Sequence, residues 1–198
     1  GSQSQTLASA EQQGGQITIQ ANDIDVKSGS LVAANATQDG DGGTVTITAQ
    51  NQLTLAGQIT ADGKQSGSGG IIQTTAHTAT IHENATISAQ AENAQSSLAG
   101  EWIHTASSIA LDQVAANVIS NTLAHTDVTI QTTDQLANTQ NHDITLNAGA
   151  VINNVSSTSR ELTFIAHNAL NLQGSISDQN QLLILSATSF NNLSVGTV

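Results

Sequence analysis

The chain has 198 residues and an unusual composition: 2% is aromatic, 9% is charged, and Pro, Met and Cys are absent. Its formal net charge is -12, and only 3 residues are Lys or Arg, which excludes a nucleic-acid or anionic-membrane partner because both require clustered cations. The hydrophobic content of 37% is enough for a core of small aliphatic side chains, and no apolar run is long enough to insert into a membrane.

The first segment, residues 1–13, is polar and carries little pattern. Gly1 and Ser2 are typical of the remnant left by a cleaved expression tag. The rest of the segment is predicted to be the end of a preceding coil, and the whole piece is expected to come from a longer protein.

The second segment, residues 14–99, repeats one pattern three times with an offset of about 28 residues. In the middle copy Gly42-Gly43 leads to an alternation of apolar and polar residues, which predicts short strands with one buried face. The breaks between strands are Gly, Asn, Gln and Asp, which permit tight corners. The predicted inward positions of the middle copy are Val45, Ile47, Ala49, Leu53, Leu55, Ile59 and Ala61.

Self-similarity at this period is typical of a solenoid, in which a single repeat cannot bury its apolar face and stacking supplies the core. Three strands and three corners make one coil. The sequence therefore predicts an all-β fold, a right-handed parallel β-helix of about seven coils and roughly 35 Å in length.

The third segment, residues 100–198, is predicted to continue the same β-helix in a shifted register. It lacks the Gly-Gly opening and contains the single tryptophan, Trp102. Its apolar alternation predicts strands throughout, including Val114 and Val118-Ile119. The other predicted strands lie at Ile109–Leu111, Asp127–Ile130, Asp143–Leu146, Leu162–Ala166, Leu170–Leu172 and Leu182–Val198.

The order of these motifs resembles the filamentous-haemagglutinin-like exoproteins of Gram-negative bacteria, and most of all the high-molecular-weight adhesins. Gly-Gly coils are followed by Gly100-Glu-Trp102-Ile, then by Val118-Ile-Ser-Asn-Thr-Leu123, Asp127-Val-Thr-Ile130 and Asp143-Ile-Thr-Leu146. After Trp102 the Asp-Pro that is usual in the family is replaced by His104-Thr105, which leaves the geometry of that corner open.

The resemblance implies a non-enzymatic shaft segment of an adhesin that is secreted by a two-partner system and displayed on the cell surface. The implied partners are an outer-membrane transporter, which engages a secretion domain absent from this piece, and a host-cell receptor or glycan. Relatives also include contact-dependent toxins and haem-acquisition exoproteins, so a stalk of either kind remains an alternative. A β-helical polysaccharide hydrolase is a further alternative.

Candidate metal ligands are the six histidines at 77, 82, 104, 125, 142 and 167. No pair has the close spacing of a zinc site, and the separations do not hold one register along stacked coils. No metal and no cofactor are therefore predicted, and the histidines are expected at exposed strand or corner positions.

Candidate catalytic carboxylates are Asp23 and Asp25, which lie two apart on one predicted strand and point to solvent. A lyase is disfavoured because it needs cations to stabilise an enolate-like charge. Corner residues Asp39, Asp41 and Asp62 are too isolated to bind calcium and are expected to be solvated. No catalytic residue is assigned.

Other surface features give no defined site. An outward threonine ladder at Thr44, Thr46 and Thr48 does not continue into the neighbouring coils. Trp102 is predicted to fill the core, with an exposed sugar-stacking ring as the alternative. The sequence assigns no binding residue; if this piece itself binds a partner, the loops at Glu92–Leu98 and Thr132–Asn141 are the expected regions. Sequons for Asn-linked glycosylation occur at Asn35, Asn84, Asn154 and Asn192.

Overall fold

The computed structural model describes residues 4–93, 98–133, 141–189 and 192–195. It confirms the predicted fold class: parallel strands stack as a β-solenoid of about seven turns. Each turn passes over three faces, and every strand pair is parallel.

The first face is one sheet of seven strands, and its order follows the chain from turn to turn. In the first three turns the strand is long and bends onto the second face, with a register shift at the bend. The seven strands are β2 (Gln16–Val26), β4 (Thr44–Leu55), β6 (Ile71–Ile81), β8 (Glu101–Ala106), β10 (Asp127–Thr132), β13 (Arg160–Ala166) and β16 (Leu183–Ser189).

The second face becomes a separate sheet in the later turns, and the third face is built from short strands. The later second-face strands are β9 (Ile109–Leu111), β11 (Ile144–Leu146), β14 (Ala169–Leu172) and β17 (Asn192–Val195). The third-face strands are β1 (Gln5–Leu7), β3 (Leu31–Ala33), β5 (Gln58–Thr60), β7 (Thr86–Ser88), β12 (Val151–Asn154) and β15 (Ser175–Asp178).

The core is a column of small aliphatic side chains that project inward from all three faces. The seven inward positions predicted for the middle repeat are each at most 1% exposed. Equivalent residues stack directly across turns, as Ile17, Val45 and Ile72 do. Each such side chain contributes roughly 1.5–3 kcal/mol by leaving water, so the register of the apolar pattern fixes the fold.

The Gly-Gly openings are required because there is no room for a side chain at these positions, and not because the backbone there is left-handed. A Cβ added at Gly43 would overlap the carbonyl oxygen of Gly15, and one added at Gly70 would overlap that of Gly43. The glycines of successive turns therefore lie against one another where the backbone enters the first face. The left-handed backbone expected at corners is found at Gly29, whose φ is 80°.

One helix interrupts the third face. Helix α1 (Gln113–Leu123) lies where a third-face strand would stand between β7 and β12, and the prediction of strands at Val114 and Val118-Ile119 is wrong. Its buried residues recur at helical rather than strand spacing: Ala115, Ala116, Val118, Ile119, Thr122 and Leu123. Within the described residues no helix has the length and apolarity needed to cross a membrane.

Side chains of α1 and of the turn after it satisfy backbone groups at the interrupted edge. Gln113 Oε1 accepts from the Val151 amide at 3.1 Å, and Ser120 Oγ accepts from the Asn153 amide at 2.9 Å. On the other side, Thr126 Oγ1 accepts from the Ala89 amide at 2.9 Å. These contacts take the place of the ladder bonds that a third-face strand would supply, and the buried Ala89 amide would otherwise have no partner on this side.

The first face crosses residue 100 with its strand register intact, because Ile72 pairs with Trp102 as Val45 pairs with Ile72. The second face is interrupted there, because β9 is the edge strand of a separate sheet and does not pair with β6. The change of sequence character at Gly100 thus corresponds to an inserted helix and a divided second face.

The inward register can be tested with a matched pair of substitutions. Leu55→Asp places a carboxylate at a position that is 1% exposed and should cost more than about 4 kcal/mol, with loss of cooperative unfolding. Thr46→Asp points outward between Thr18 and Gln73 and should change stability by less than about 0.5 kcal/mol. Urea unfolding followed by circular dichroism measures both; similar midpoints would contradict the register.

The helix start offers a second test. Asp112 is the N-cap, and its Oδ1 accepts from the Ala115 amide at 2.9 Å. Asp112→Ala should therefore cost about 1 kcal/mol and lower the melting temperature by about 2–4 °C. Asp112→Asn keeps the acceptor and should retain most of that stability; equal losses in the two variants would rule out the capping role.

Candidate functional site

A groove of about 500 Å³ lies where the first-face strands begin. Its floor carries three carboxylates from successive turns, at Glu101, Asp127 and Glu161. Glu101 pairs directly with Asp127, and Val128 pairs with Leu162, so Glu161 is next to Asp127 in the same column. Neighbouring strands are about 4.8 Å apart, so the register stacks the three side chains on one outward face.

Hydroxyl and amide donors hold these carboxylates in place. Thr129 Oγ1 donates to Glu101 Oε1 at 2.6 Å, and Thr163 Oγ1 donates to Glu161 Oε1 at 3.0 Å. The Glu161 amide donates to Asp127 Oδ1 at 2.9 Å. Leu98, which is 78% exposed, and Ile71, which is 43% exposed, form an apolar rim at the same groove.

The electrostatics of the groove are dominated by its central carboxyl group. Burial raises the pKa of Asp127 above its ordinary value; the Glu161 amide and the Arg160 guanidinium counteract this, and the Glu161 and Glu101 carboxylates add to the rise. The carboxyl oxygens of Glu101, Asp127 and Glu161 can accept hydrogen bonds from hydroxyl or ammonium groups that lie along the strand edge. Because the carboxylates form one column, a bound molecule would lie over them rather than between two of them.

The predicted carboxylate pair lies elsewhere. Asp23 and Asp25 are exposed on β2, as predicted, and pair with Gln52 and Thr54 of β4. Their neighbours across the sheet are therefore neutral side chains. The groove carboxylates were missed because their alignment depends on the lengths of two intervening loops.

The corner carboxylates Asp39 and Asp41 are exposed, as expected, and Asp62 is half-buried, but all three also accept backbone amides from the following turn. Asp39 Oδ1 accepts from the Ser66 amide at 3.1 Å, Asp41 Oδ1 from the Ser68 amide at 2.7 Å, and Asp62 Oδ1 from the Gln90 amide at 3.0 Å. Each bond joins one turn to the next. Hydrogen bonds from the Ser66 side chain and amide lower the pKa of Asp39, which marks the carboxylate as the bonded form.

The histidines do not share one environment. His82 is exposed, as expected, but His104 is buried, and the other four are half-buried. Across the described ranges, no group of three or more His, Cys, Asp or Glu side chains is arranged to hold a metal ion.

Trp102 fills the core, as predicted, and is fully buried. Its Nε1 donates to Thr74 Oγ1 at 3.0 Å, and the same oxygen lies 2.9 Å from His104 Nδ1. The Trp102 and His104 rings are 5.5 Å apart between centroids. The Thr74 hydroxyl group therefore joins the indole of Trp102 and the imidazole of His104 by hydrogen bonds inside a mainly aliphatic core.

Other predicted sites have structural roles or fall outside the described residues. Asn154 is buried and its Nδ2 donates to Asp178 Oδ1 at 3.0 Å, whereas Asn84 and Asn192 are exposed. Of the two expected binding loops, residues 94–97 and 134–140 lie outside the described residues.

Comparisons with protein-family models, with curated proteins and with solved structures give no match to this chain.

The buried histidine predicts a specific pH dependence. Burial lowers the pKa of His104 from 6.5 to about 4, so the folded protein holds this side chain neutral. The unfolded chain binds a proton at His104 more readily than the folded chain does. The free energy of unfolding is therefore unaffected by this group above pH 6.5 and decreases by up to about 3 kcal/mol as the pH falls toward 4.

His104→Gln removes the titrating group and should flatten the fall in melting temperature between pH 7 and pH 4.5. His82→Gln changes an exposed histidine and serves as the control. Parallel pH profiles for wild type and His104→Gln would contradict the buried neutral state.

Proposed function

We propose that this chain is a shaft segment of a secreted adhesin of the filamentous-haemagglutinin type, displayed on the surface of a Gram-negative bacterium. The observation that carries the proposal is the stack of parallel turns, in which each strand pairs with the equivalent strand of a neighbouring turn. Every added turn lengthens such a rod by about 4.8 Å without requiring a new kind of contact. The sequence motifs from the Gly-Gly openings to Asp143-Ile-Thr-Leu146 support the same assignment.

The proposed role is structural: the segment extends or presents an adhesive surface. Its outward faces carry Thr, Gln and Asn side chains, and the groove at Glu101 supplies hydrogen-bond acceptors beside a small apolar rim. Such a surface suits hydroxyl-rich ligands such as glycans. Export would use an outer-membrane transporter of the two-partner type, as the resemblance implies.

The proposal treats the segment as a non-enzymatic one. The exposed pair Asp23 and Asp25 stands on a strand face rather than across a cleft, and the groove carboxylates form a column. A glycosidase places two carboxyl groups on opposite sides of the bond that it cleaves. Stalks of contact-dependent toxins and of haem-acquisition exoproteins would use the same shaft, so they are separated by assays on the whole protein.

The shaft role can be tested by removing one complete turn from the full-length protein. Deleting residues 44–70 joins Gly43 to Ile71, and because Thr44 pairs with Ile71, β6 then takes the place of β4. We expect surface display and attachment to epithelial cells to survive this deletion. As the control, deleting residues 44–57 removes the first-face and second-face part of one turn but keeps its third-face strand β5, so the turn cannot be completed and display should be abolished.

Loss of attachment on the in-register deletion, with display retained, would assign binding to this segment rather than to the parts that it presents. Failure of the full-length protein to attach to any cell type would contradict the adhesin assignment and favour a toxin or haem-acquisition stalk.

An enzymatic role is tested on the 198-residue chain with a polysaccharide-cleavage panel. We expect no reducing sugar to be released. Cleavage that disappears in Asp23→Asn/Asp25→Asn, or in Glu101→Gln/Glu161→Gln, would overturn the structural role and identify the carboxylates responsible.

A further inference from the structure

Two histidines from successive turns meet at the corner between the first and second faces. His142 lies two residues before β11, and His167 follows β13 directly. Their ring centroids are 6.0 Å apart, and the ring planes are nearly perpendicular at 85°. Sequence spacing does not reveal this pair, because the loop before His142 changes the register of that turn.

The hydrogen bonding of His142 fixes which nitrogen is available as a ligand. Its Nδ1 lies 3.1 Å from the carbonyl oxygen of Ser107. Because a carbonyl oxygen only accepts, Nδ1 carries the hydrogen and Nε2 carries the lone pair in the neutral ring. A backbone carbonyl bonded to the second ring nitrogen is the usual arrangement behind a metal-binding histidine.

The backbone beneath both rings is held by one hydroxyl group. Thr132 Oγ1 donates to the His142 carbonyl oxygen at 2.8 Å and accepts from the His167 amide at 2.8 Å. The Asn168 amide also donates to the His142 carbonyl oxygen at 3.1 Å. The backbone of His142 is in the left-handed region, with a φ of 56°.

We propose that His142 and His167 bind a divalent transition-metal ion, such as Zn²⁺ or Ni²⁺, which clips one turn of the solenoid to the next. With Zn–N bonds of about 2.0–2.1 Å, two imidazoles on one ion have centroids roughly 5–6 Å apart. The observed centroid separation of 6.0 Å lies at the upper end of that range, and imidazole nitrogen suits these ions. Water would complete the coordination, so affinity is below that of a four-ligand structural site.

The test is calorimetric titration of the tag-free protein at pH 7.5 with ZnCl₂ and, separately, NiCl₂. We expect one ion per chain, and affinity should fall at least about tenfold in His142→Asn and in His167→Asn. His82→Asn, on a different corner and exposed, should bind as wild type does. A second readout is the melting temperature, which the ion should raise in wild type and which EDTA should restore.

Circular dichroism and the melting temperature in EDTA show whether each variant is folded; where His167→Asn is not, His167→Gln replaces it. The proposal is overturned if the wild-type protein gives no saturable binding, or if binding persists unchanged in a folded variant of either histidine. It is also overturned if His82→Asn weakens binding as much as the variants of the pair.

Discussion

The structure depends on the backbone ladder between successive turns. A turn of three short strands has no partner within itself, so each of its amides and carbonyls must find one in the turn before or after it. Each strand must therefore begin in register with the equivalent strand of the neighbouring turn. The stacked glycines Gly15, Gly43 and Gly70 allow the backbones of successive turns to approach closely at that point. The aliphatic column and the polar faces are arranged around that requirement.

Carboxylates extend the ladder at the corners, where strand pairing stops. Asp39, Asp41 and Asp62 accept amides from the next turn, and Asp143 does the same for Ala169 at 3.0 Å. The strongly negative charge of the chain is thus used in part within the fold, where a carboxylate is a better acceptor than a neutral oxygen. Corner loops of different length remain tied to the rod.

The sequence predicted the regular part of the fold well because alternation and repeat length both constrain it. Val45, Leu55 and Phe164 lie where the pattern placed them. Helix α1 was missed because Val118-Ile119 fits a strand as readily as a helix over so short a run, although Asp112 before the segment was a usable N-cap signal. The groove carboxylates and the pairing of His142 with His167 depend on loop lengths that shift register between turns, and a local pattern carries no information about them.

The turn that contains helix α1 shares fewer backbone ladders with the preceding turn than the other neighbouring turns from β2 onward share with each other. In a linear array, stability is the sum of each repeat and its couplings to its neighbours. The turn that contains β6 and the turn that contains α1 are joined by one backbone ladder, between β6 and β8, and by side-chain hydrogen bonds. The other neighbouring turns from β2 onward are joined by two or three backbone ladders. Local unfolding that starts at one end of the solenoid would therefore stop at this junction, because the coupling across it is weakest. The turns on one side could then unfold while the turns on the other side stay folded.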